Sequence, residues 1–400
     1  MAKHISVGID IGSLNIKVVI AEEVRDGARS VQKIIGTGLA ETRGIDKGLI
    51  VSIPEVARCV QMAVSKAEKQ AGVEVKRAYV SVSGAGLGSA VATGSVAVSR
   101  ADLEVTMLDI ENAHEAAENS IPEALSINRK IINSIPLETK LDGKPALTRV
   151  EGMRGSKLEV KMLFITCLEH HLEDLIKSVE EAGVEVVDVV AGPIASSFVI
   201  LSKKQKRAGC LLLNIGAETT SIVVSENSTA HPLEVFDVGG ADLTNDIALG
   251  LKISLEEAES VKLGSYTRAE YPKKKLDDII GRRLSSIFEL VENHLKKINR
   301  NQLLPAGVIL TGGACAQYGL KDFAESALRL PARVGTIHFG EEEKTSNKDL
   351  PWSTAYGLAV VGFNSDNERG SVGQQGLDKF AEGGKKGLRV ISDWFSKFLP

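Results

Sequence analysis

The pattern of apolar and polar positions predicts two similar β-hairpins, one in each half of the chain. The segment from Val7 to Ile20 aligns without a gap on the segment from Leu211 to Val224. Each copy has an apolar run, an Asp or Asn, Ile-Gly, a short polar stretch and a second apolar run. β-Branched runs favour strands, and Gly with small polar residues favours the turn between them. The repetition predicts a duplicated α/β architecture.

Helix-like and strand-like segments alternate along the rest of the chain, as an α/β fold requires. The predicted helices are 53–71, 107–120, 170–182, 242–251, 254–263, 276–298 and one starting near residue 319. The predicted strands are 78–84, 130–135, 158–166, 184–190 and 306–310. The neighbours His170 and His171 cannot share one helix face, so we expect both to be solvated.

The composition changes near Asn364, where a polar and Gly-rich stretch typical of a flexible linker begins and continues to Lys386. The following segment, 387–399, has the pattern of an amphipathic helix. Its apolar side chains, except Val390, fall within an arc of roughly 140° at about 100° per residue. They are Leu388, Ile391, Trp394, Phe395, Phe398 and Leu399.

This terminal segment is basic in a chain whose net charge is −4. Lys385 and Lys386 precede it, and Arg389 and Lys397 lie within it, whereas Asp393 is its one acidic residue. Each cation near an anionic leaflet contributes about 1 kcal/mol, but so short a helix binds weakly and reversibly. We therefore predict a membrane-targeting helix that needs self-assembly for avidity. A helix docked on the protein's own core is the alternative.

The overall composition is that of an ordinary folded protein. The chain has 400 residues, of which 43% are hydrophobic and 25% charged, and its pI is near 6.1. This balance argues against nucleic acid as a partner, because phosphate-backbone binding usually needs a basic surface. The cysteines show no metal-ligand spacing, and we find no secretory h-region and no apolar run long enough to span a bilayer. We expect a protein whose membrane contact is peripheral.

The candidate chemistry lies in the two hairpin turns. Backbone N–H groups around Gly12-Ser13 and Gly216-Ala217 lie between strands and can point at phosphate oxygens. Asp10, at the end of the first strand, is placed to hold Mg²⁺, through water. Lys17 adds positive charge on the second strand. A single Asp-x-Gly turn is usually an ordinary hairpin, but its duplication favours a polyphosphate clamp.

A third element, Gly312-Gly313 after the strand 306–310, stands where ligands collect in open α/β sheets. No Walker A pattern occurs, which argues against a P-loop nucleoside triphosphatase. In this order the three elements resemble the phosphate and adenosine motifs of the actin, heat-shock chaperone and sugar-kinase superfamily. Within it the chain resembles the family of bacterial cell-division protein FtsA over essentially its full length. The resemblance is carried by 8–13, 78–84, 135–143, 151–159, 238–248, 258–262 and 310–313.

The resemblance implies an actin-like (ribonuclease-H-like) duplicated fold with two lobes of two subdomains around a nucleotide cleft. Its implied boundaries are 1–83 and 163–198 for subdomain 1A, 84–162 for the family-specific insertion 1C, 199–244 and 303–363 for 2A (its end returning to 1A), 245–302 for 2B, 364–386 for the linker and 387–399 for the membrane-targeting helix.

The resemblance also implies ATP with Mg²⁺ in the cleft. Gly239 and Gly240 line the phosphates, Glu259 and Lys262 approach the ribose and base, and Thr219 belongs to the second turn. Family members polymerise into filaments, receive the C-terminal tail of FtsZ on subdomain 2B and act at the cytoplasmic face of the membrane at the septum, where later division proteins are further possible partners. The basic residues Lys275, Arg282 and Arg283 suit an acidic peptide, although a solvated charged face explains them equally well.

One departure from the family pattern concerns hydrolysis. Asn214 stands where the family has Asp, and Ala217 where it has Gly. An amide brings no charge to a magnesium shell, so we expect ATP binding with weak or no hydrolysis. Two alternatives share the nucleotide motifs: a pilus-assembly adaptor such as PilM, and a small-molecule kinase of the same superfamily.

Overall fold

The computed structural model describes residues 4–26, 29–146, 148–264, 271–316, 319–340, 342–344 and 348–371. The predicted membrane-targeting residues, 387–399, and the linker from 372 onward lie outside this range. The strands are β1 His4–Ile11, β2 Asn15–Asp26, β3 Arg29–Glu41, β4 Ile45–Asp46, β5 Leu49–Ile50, β6 Arg77–Val82, β7 Leu87–Ala97, β8 Arg129–Leu141, β9 Lys144–Pro145, β10 Lys157–Leu168, β11 Glu185–Ala191, β12 Cys210–Ile215, β13 Thr220–Glu226, β14 Thr229–Ala230, β15 Glu234–Phe236, β16 Val308–Thr311, β17 Ala332–Val334, β18 Ile337–Phe339 and β19 Glu342–Lys344.

The α-helices cover the sheets and link them. They are α1 Ile53–Ala71, α2 Met107–Asn119, α3 Glu123–Ser126, α4 Glu169–Glu181, α5 Gly192–Ile200, α6 Lys203–Ala208, α7 Gly240–Leu251, α8 Leu255–Lys262, α9 Lys273–Lys297, α10 Leu320–Leu328 and α11 Ser353–Ser371. Each helix and strand predicted from the sequence is present within the described residues; the ends shift by at most three residues, except that the strand predicted at 130–135 continues as β8 to Leu141.

Both predicted hairpins are confirmed, and each stands at the centre of a larger sheet. In the first lobe the strand order is β11-β6-β1-β2-β3, with β1 parallel to β6. In the second lobe it is β14-β13-β12-β16-β17, with β12 parallel to β16. Parallel central strands are covered by helices on both faces, which explains the fully apolar runs of the sequence.

Glycine contacts hold the first hairpin between two helices. A Cβ on Gly38 of β3 would overlap the carbonyl oxygen of Ala63 in α1, and one on Gly8 of β1 would overlap that of Ala355 in α11. Only glycine allows backbones to approach this closely. The first turn therefore projects from a rigidly packed sheet.

Two smaller units are inserted into the lobes. The sheet β7-β10-β8-β9, with α2 on one face, follows β6 and has a core of its own. In the second lobe, α7, α8 and part of α9 enclose a small core around Leu243, Ile247 and Ala258. The lobes themselves meet where α5 packs on α11, and Ser196 Oγ lies 2.9 Å from Thr354 Oγ1 in that contact.

Two sequence-based expectations are wrong. The linker was expected to begin at Asn364, but α11 continues to Ser371, because the polar stretch after Asn364 contains no proline and simply extends the helix. His171 was expected to be solvated and is buried at 2% exposure, whereas His170 is exposed. Successive helix positions point about 100° apart, so one of two neighbours faces the sheet while the other faces solvent.

Candidate nucleotide-binding site

The first hairpin turn is fixed through its carbonyl oxygens. Thr42 donates from its backbone N–H to Leu14 O at 3.0 Å and from its Oγ1 to Gly12 O at 2.7 Å. Gly12 and Ser13 are half-buried at the top of this turn. These two bonds fix the turn through its carbonyl oxygens. They do not involve the N–H groups of Gly12 and Ser13.

Asp10 and Lys17, both predicted site residues, form a buried pair beneath that turn. The Asp10 carboxylate accepts a hydrogen bond from Lys17 Nζ at 3.3 Å and one from Ser81 Oγ at 2.9 Å. Ser81 Oγ in turn accepts the backbone N–H of Ile11 at 3.2 Å. The strand register explains the pair, because Asp10 lies directly opposite Lys17. Ser81, on the neighbouring strand β6, is a member of the site that the sequence analysis did not single out.

The second turn is held by the start of α7. Gly216 N–H donates to Thr219 O at 2.9 Å within the turn. Gly240 N–H donates to Gly216 O at 2.9 Å, and Ala241 N–H donates to Ala217 O at 2.7 Å. A Cβ on Gly239 would lie 2.5 Å from the oxygen of Ala217. Gly239 and Gly240, predicted to line the phosphates, thus lie against the second turn, and the N–H of Gly240 is bonded to the carbonyl oxygen of Gly216.

The third element packs on the same hairpin. Gly312 has a φ of +98°, and a Cβ there would overlap both Asn214 Oδ1 and Ile215 O. Gly313 opens the 3-10 turn Gly313–Ala316, which follows β16. Asn214 and Gly312 therefore meet at the edge of the sheet where β12 and β16 end, and this edge is where α/β sheets bind ligands.

A polar cluster joins α8 to the beginning of α7. Lys262 Nζ lies 2.6 Å from Glu259 Oε2 and donates to Thr244 Oγ1 at 2.9 Å and to Gly240 O at 3.2 Å. Thr244 Oγ1 also donates to Glu259 Oε2 at 2.5 Å. Lys262 is buried and the Glu259 side chain is 43% exposed. The predicted Glu259 and Lys262 are together, and Thr244 completes the cluster one helical turn after Gly240.

One hydrogen bond crosses between the lobes at the turns. The backbone N–H of Lys47, in the β4–β5 hairpin, donates to Glu218 Oε2 at 2.6 Å. Glu218 belongs to the second turn and is half-buried. Neither residue was predicted, since nothing in the local sequence indicates a contact between segments this far apart.

The predicted peptide-binding residues lie on α9 in different settings. Lys275 and Arg282 are exposed. Arg283 instead makes a two-pronged pair with Asp246 of α7, at 2.6 and 2.9 Å. Hydrogen bonding to that carboxylate raises the pKa of Arg283. Beside this helix a groove between α7 and α8 is lined by Asn245, Ala248, Leu249, Lys252, Ile253 and Leu255.

Metal-ligand groups and membrane-spanning helices are both absent from the part of the chain that the structure describes. There, no group of three or more His, Cys, Asp and Glu side chains is arranged to hold a metal ion. Within the same residues, no helix combines the length and the apolar character that crossing a bilayer takes. Cys59, Cys167 and Cys210 are unpaired and buried.

Solved structures with the same fold include a PilM–PilN type IV pilus biogenesis complex and MreB 5 of Spiroplasma citri bound to AMPPNP. The first is 19% identical, with a TM-score of 0.63, and the match covers 89% of this chain and 98% of that one. The second is 12% identical, with a TM-score of 0.50, and covers 92% and 100%. At these identities the likeness establishes the fold, which is actin-like. It supports the pilus-type alternative only through that shared architecture.

Family models and curated relatives go further. The model described as "Cell division protein FtsA" matches residues 211–357, and that described as "SHS2 domain inserted in FTSA" matches 84–166, where the inserted sheet stands. Cell division protein FtsA of Bacillus subtilis is 31% identical over 83% of this chain and 79% of its own length. That of Pseudomonas aeruginosa is 27% identical over 92% of both. The chain therefore belongs to the FtsA family of actin-like cell division proteins.

Proposed function

We propose that the protein is an ATP-binding, self-assembling adaptor that tethers FtsZ filaments to the cytoplasmic membrane at the division septum. The observations that carry the proposal are the two hairpin turns, each fixed by hydrogen bonds to its carbonyl oxygens, and the Gly312 turn that packs against Asn214 beside the second one. Family membership supports the role in division. The terminal amphipathic segment, known from the sequence, supports the membrane contact.

Nucleotide binding follows from the parts of the cleft. The first turn can offer the backbone N–H groups of Gly12 and Ser13 to phosphate oxygens, and the second turn that of Ala217, since the Gly216 N–H already donates to Thr219 O. Lys17 supplies positive charge beside the first turn. The cluster of Thr244, Glu259 and Lys262 offers polar groups for a ribose and base. The actin-like structure of MreB 5 of Spiroplasma citri, which is bound to AMPPNP, supports ATP as the nucleotide.

The surroundings of Asp10 and Asn214 decide how Mg²⁺ could be held and whether ATP could be hydrolysed. Both oxygens of Asp10 already accept a hydrogen bond, and Asn214 offers a neutral amide oxygen. These are hard oxygen donors, so they suit Mg²⁺ that keeps much of its water shell and is held mainly by phosphates. A bound Mg²⁺ would neutralise phosphate charge. Because no second carboxylate stands at position 214 to organise an attacking water, we expect binding with slow or undetectable hydrolysis.

The FtsZ tail binds, in this proposal, on the helical insertion of the second lobe. Leu249 is 79% exposed and Leu255 is 55% exposed at the groove between α7 and α8. Lys252, Lys275 and Arg282 are exposed nearby on the same small helical unit. Apolar anchors with a basic rim suit a short acidic peptide with apolar side chains. Arg283, tied to Asp246, supports the groove rather than offering a free charge.

Membrane attachment then depends on assembly. One terminal helix binds weakly, so many copies presented by a filament give the avidity needed for stable attachment. The protein would then be a peripheral membrane protein attached to the inner leaflet.

The experiment is co-sedimentation of full-length protein with anionic vesicles, with and without ATP and an FtsZ-tail peptide. Trp394→Ser with Phe395→Ser removes apolar area, and Ser392→Ala with Ser396→Ala is the matched control on the polar face. We expect ATP-enhanced pelleting of the wild type and of the control, together with the peptide. Equal pelleting of the Trp394→Ser, Phe395→Ser form would refute the tether.

A further inference from the structure

The hydrogen bond from Lys47 N–H to Glu218 Oε2, 2.6 Å long, joins the β4–β5 hairpin of the first lobe to the second hairpin turn. It is a charge-assisted bond, because a carboxylate accepts from a neutral amide, and such bonds are shorter and stronger than neutral ones. Glu218 lies on one of the two turns to which the proposed nucleotide would bind.

The donor is held firmly on the first lobe. The β4–β5 hairpin is closed by Val51 N–H, which donates to Gly44 O at 2.9 Å. Lys47 O accepts the N–H of Ala85 at 3.4 Å, and Gly48 lies so close to Gly84 that its Cβ would be 2.6 Å from the Cα of that residue. The peptide of Lys47 is therefore fixed from one side and presents its N–H to the cleft.

The acceptor is held equally firmly on the second lobe. The carbonyl oxygens of Gly216 and Ala217 are bound by the start of α7, and Thr219 O is bound by Gly216 N–H. Glu218 thus extends from a fixed turn. The carboxylate of Asp10 pairs with Lys17, whereas Glu218 accepts from an uncharged N–H. A negative charge at this point repels a polyphosphate.

We propose that Glu218 is an anionic latch that closes the nucleotide-free cleft and competes with the nucleotide's phosphates for the Lys47 N–H. The inference rests on the proposed binding of ATP. A competing closed state lowers the apparent affinity by the fraction of molecules that are open. Removal of the latch is expected to tighten ATP binding about tenfold, the equivalent of about 1.4 kcal/mol.

Release of the latch also reaches the inserted sheet. Lys47 and Gly48 contact the turn at Gly84 and Ala85, which leads directly into β7. A nucleotide that displaces Glu218 therefore removes one contact of Lys47, whose carbonyl oxygen accepts the Ala85 N–H at the base of this insertion. The latch links occupancy of the cleft to the first strand of the inserted unit.

The test uses the full-length protein as wild type, Glu218→Ala, Glu218→Gln and the control Glu180→Ala, which changes an exposed carboxylate on α4. Two quantities are measured: the affinity for a fluorescent ATP analogue, and hydrogen exchange of the Lys47 amide without nucleotide. We expect Glu218→Ala to bind about tenfold tighter and to lose protection at Lys47. Glu218→Gln should keep part of the protection, because an amide oxygen still accepts the bond.

Unchanged exchange at Lys47 in Glu218→Ala would show that the contact does not form, and would overturn the latch. Nucleotide binding by the wild type with no gain in Glu218→Ala would overturn the competition alone. Failure of every variant to bind the analogue would instead refute the proposed nucleotide function, whatever the exchange rates.

Discussion

The buried pair of Asp10 and Lys17 yields a quantitative prediction. Their side chains are 9% and 11% exposed, and Ser81 gives Asp10 a second donor. Lys17→Met removes the counter-charge but keeps the apolar stem, so the Asp10 carboxylate is left buried with one hydroxyl partner. Breaking one side of a buried ion pair typically costs 3–5 kcal/mol. The 3.3 Å distance and the retained Ser81 bond place this pair at the lower end, about 3 kcal/mol.

Thermal unfolding of the nucleotide-free protein is the assay. For a domain of 150–250 residues, 1 kcal/mol shifts Tm by about 2–4 °C, so Lys17→Met should lower Tm by about 6–12 °C. The double variant Asp10→Asn, Lys17→Met removes the orphaned charge and should recover much of the loss. Lys177→Met, which changes an exposed lysine on α4, is the matched control. A Tm for Lys17→Met equal to that of the control would refute the reasoning.

Three further outcomes are expected. Asn214→Asp restores a carboxylate at the second hairpin and should raise magnesium-dependent phosphate release at least severalfold over a slow wild type; no increase would mean that another feature limits hydrolysis. Leu249→Asp should weaken binding of the FtsZ-tail peptide at least tenfold, whereas Leu303→Asp, equally apolar and 60% exposed outside the groove, should not; equal effects would remove the groove as the seat. Burial, and then the neighbouring His170, lower the pKa of His171, so the folded protein prefers the neutral ring and loses stability as pH falls below the ordinary value of 6.5. His171→Leu should reduce that loss in acid unfolding, and an unchanged pH dependence would contradict it.

Local pattern predicted the hairpins well because strand and turn preferences act over few residues. The Asp10–Lys17 pair also depends on local sequence alone, because the turn of a hairpin sets which residues lie opposite each other. Gly312 was predicted from its place after a strand and Gly239 from the family resemblance, and the structure supplies a physical reason for both: a Cβ at either glycine would overlap atoms of the second hairpin, at Ala217, Asn214 or Ile215.

The contacts that were missed depend on separate segments meeting in space. Ser81 reaches Asp10 from the parallel strand β6, and Glu218 reaches Lys47 from the other lobe. A serine in a strand and a glutamate in a turn carry no local signal for such partners. His171 was misplaced because helical phase relative to the sheet decides which of two adjacent histidines is buried, and composition does not give that phase.

The most direct test of the account is calorimetric titration of ATP, with Mg²⁺, into the full-length wild type, Gly12→Val and Gly216→Val. A side chain at either glycine meets the backbone oxygen of its own turn, at 3.0 Å from Asn15 O or from Thr219 O, and fills the space above it. We predict one nucleotide per chain for the wild type, and loss of binding in both variants, since the phosphates are held from both sides. Absence of binding by the wild type, or binding by both variants with wild-type affinity, would contradict the account.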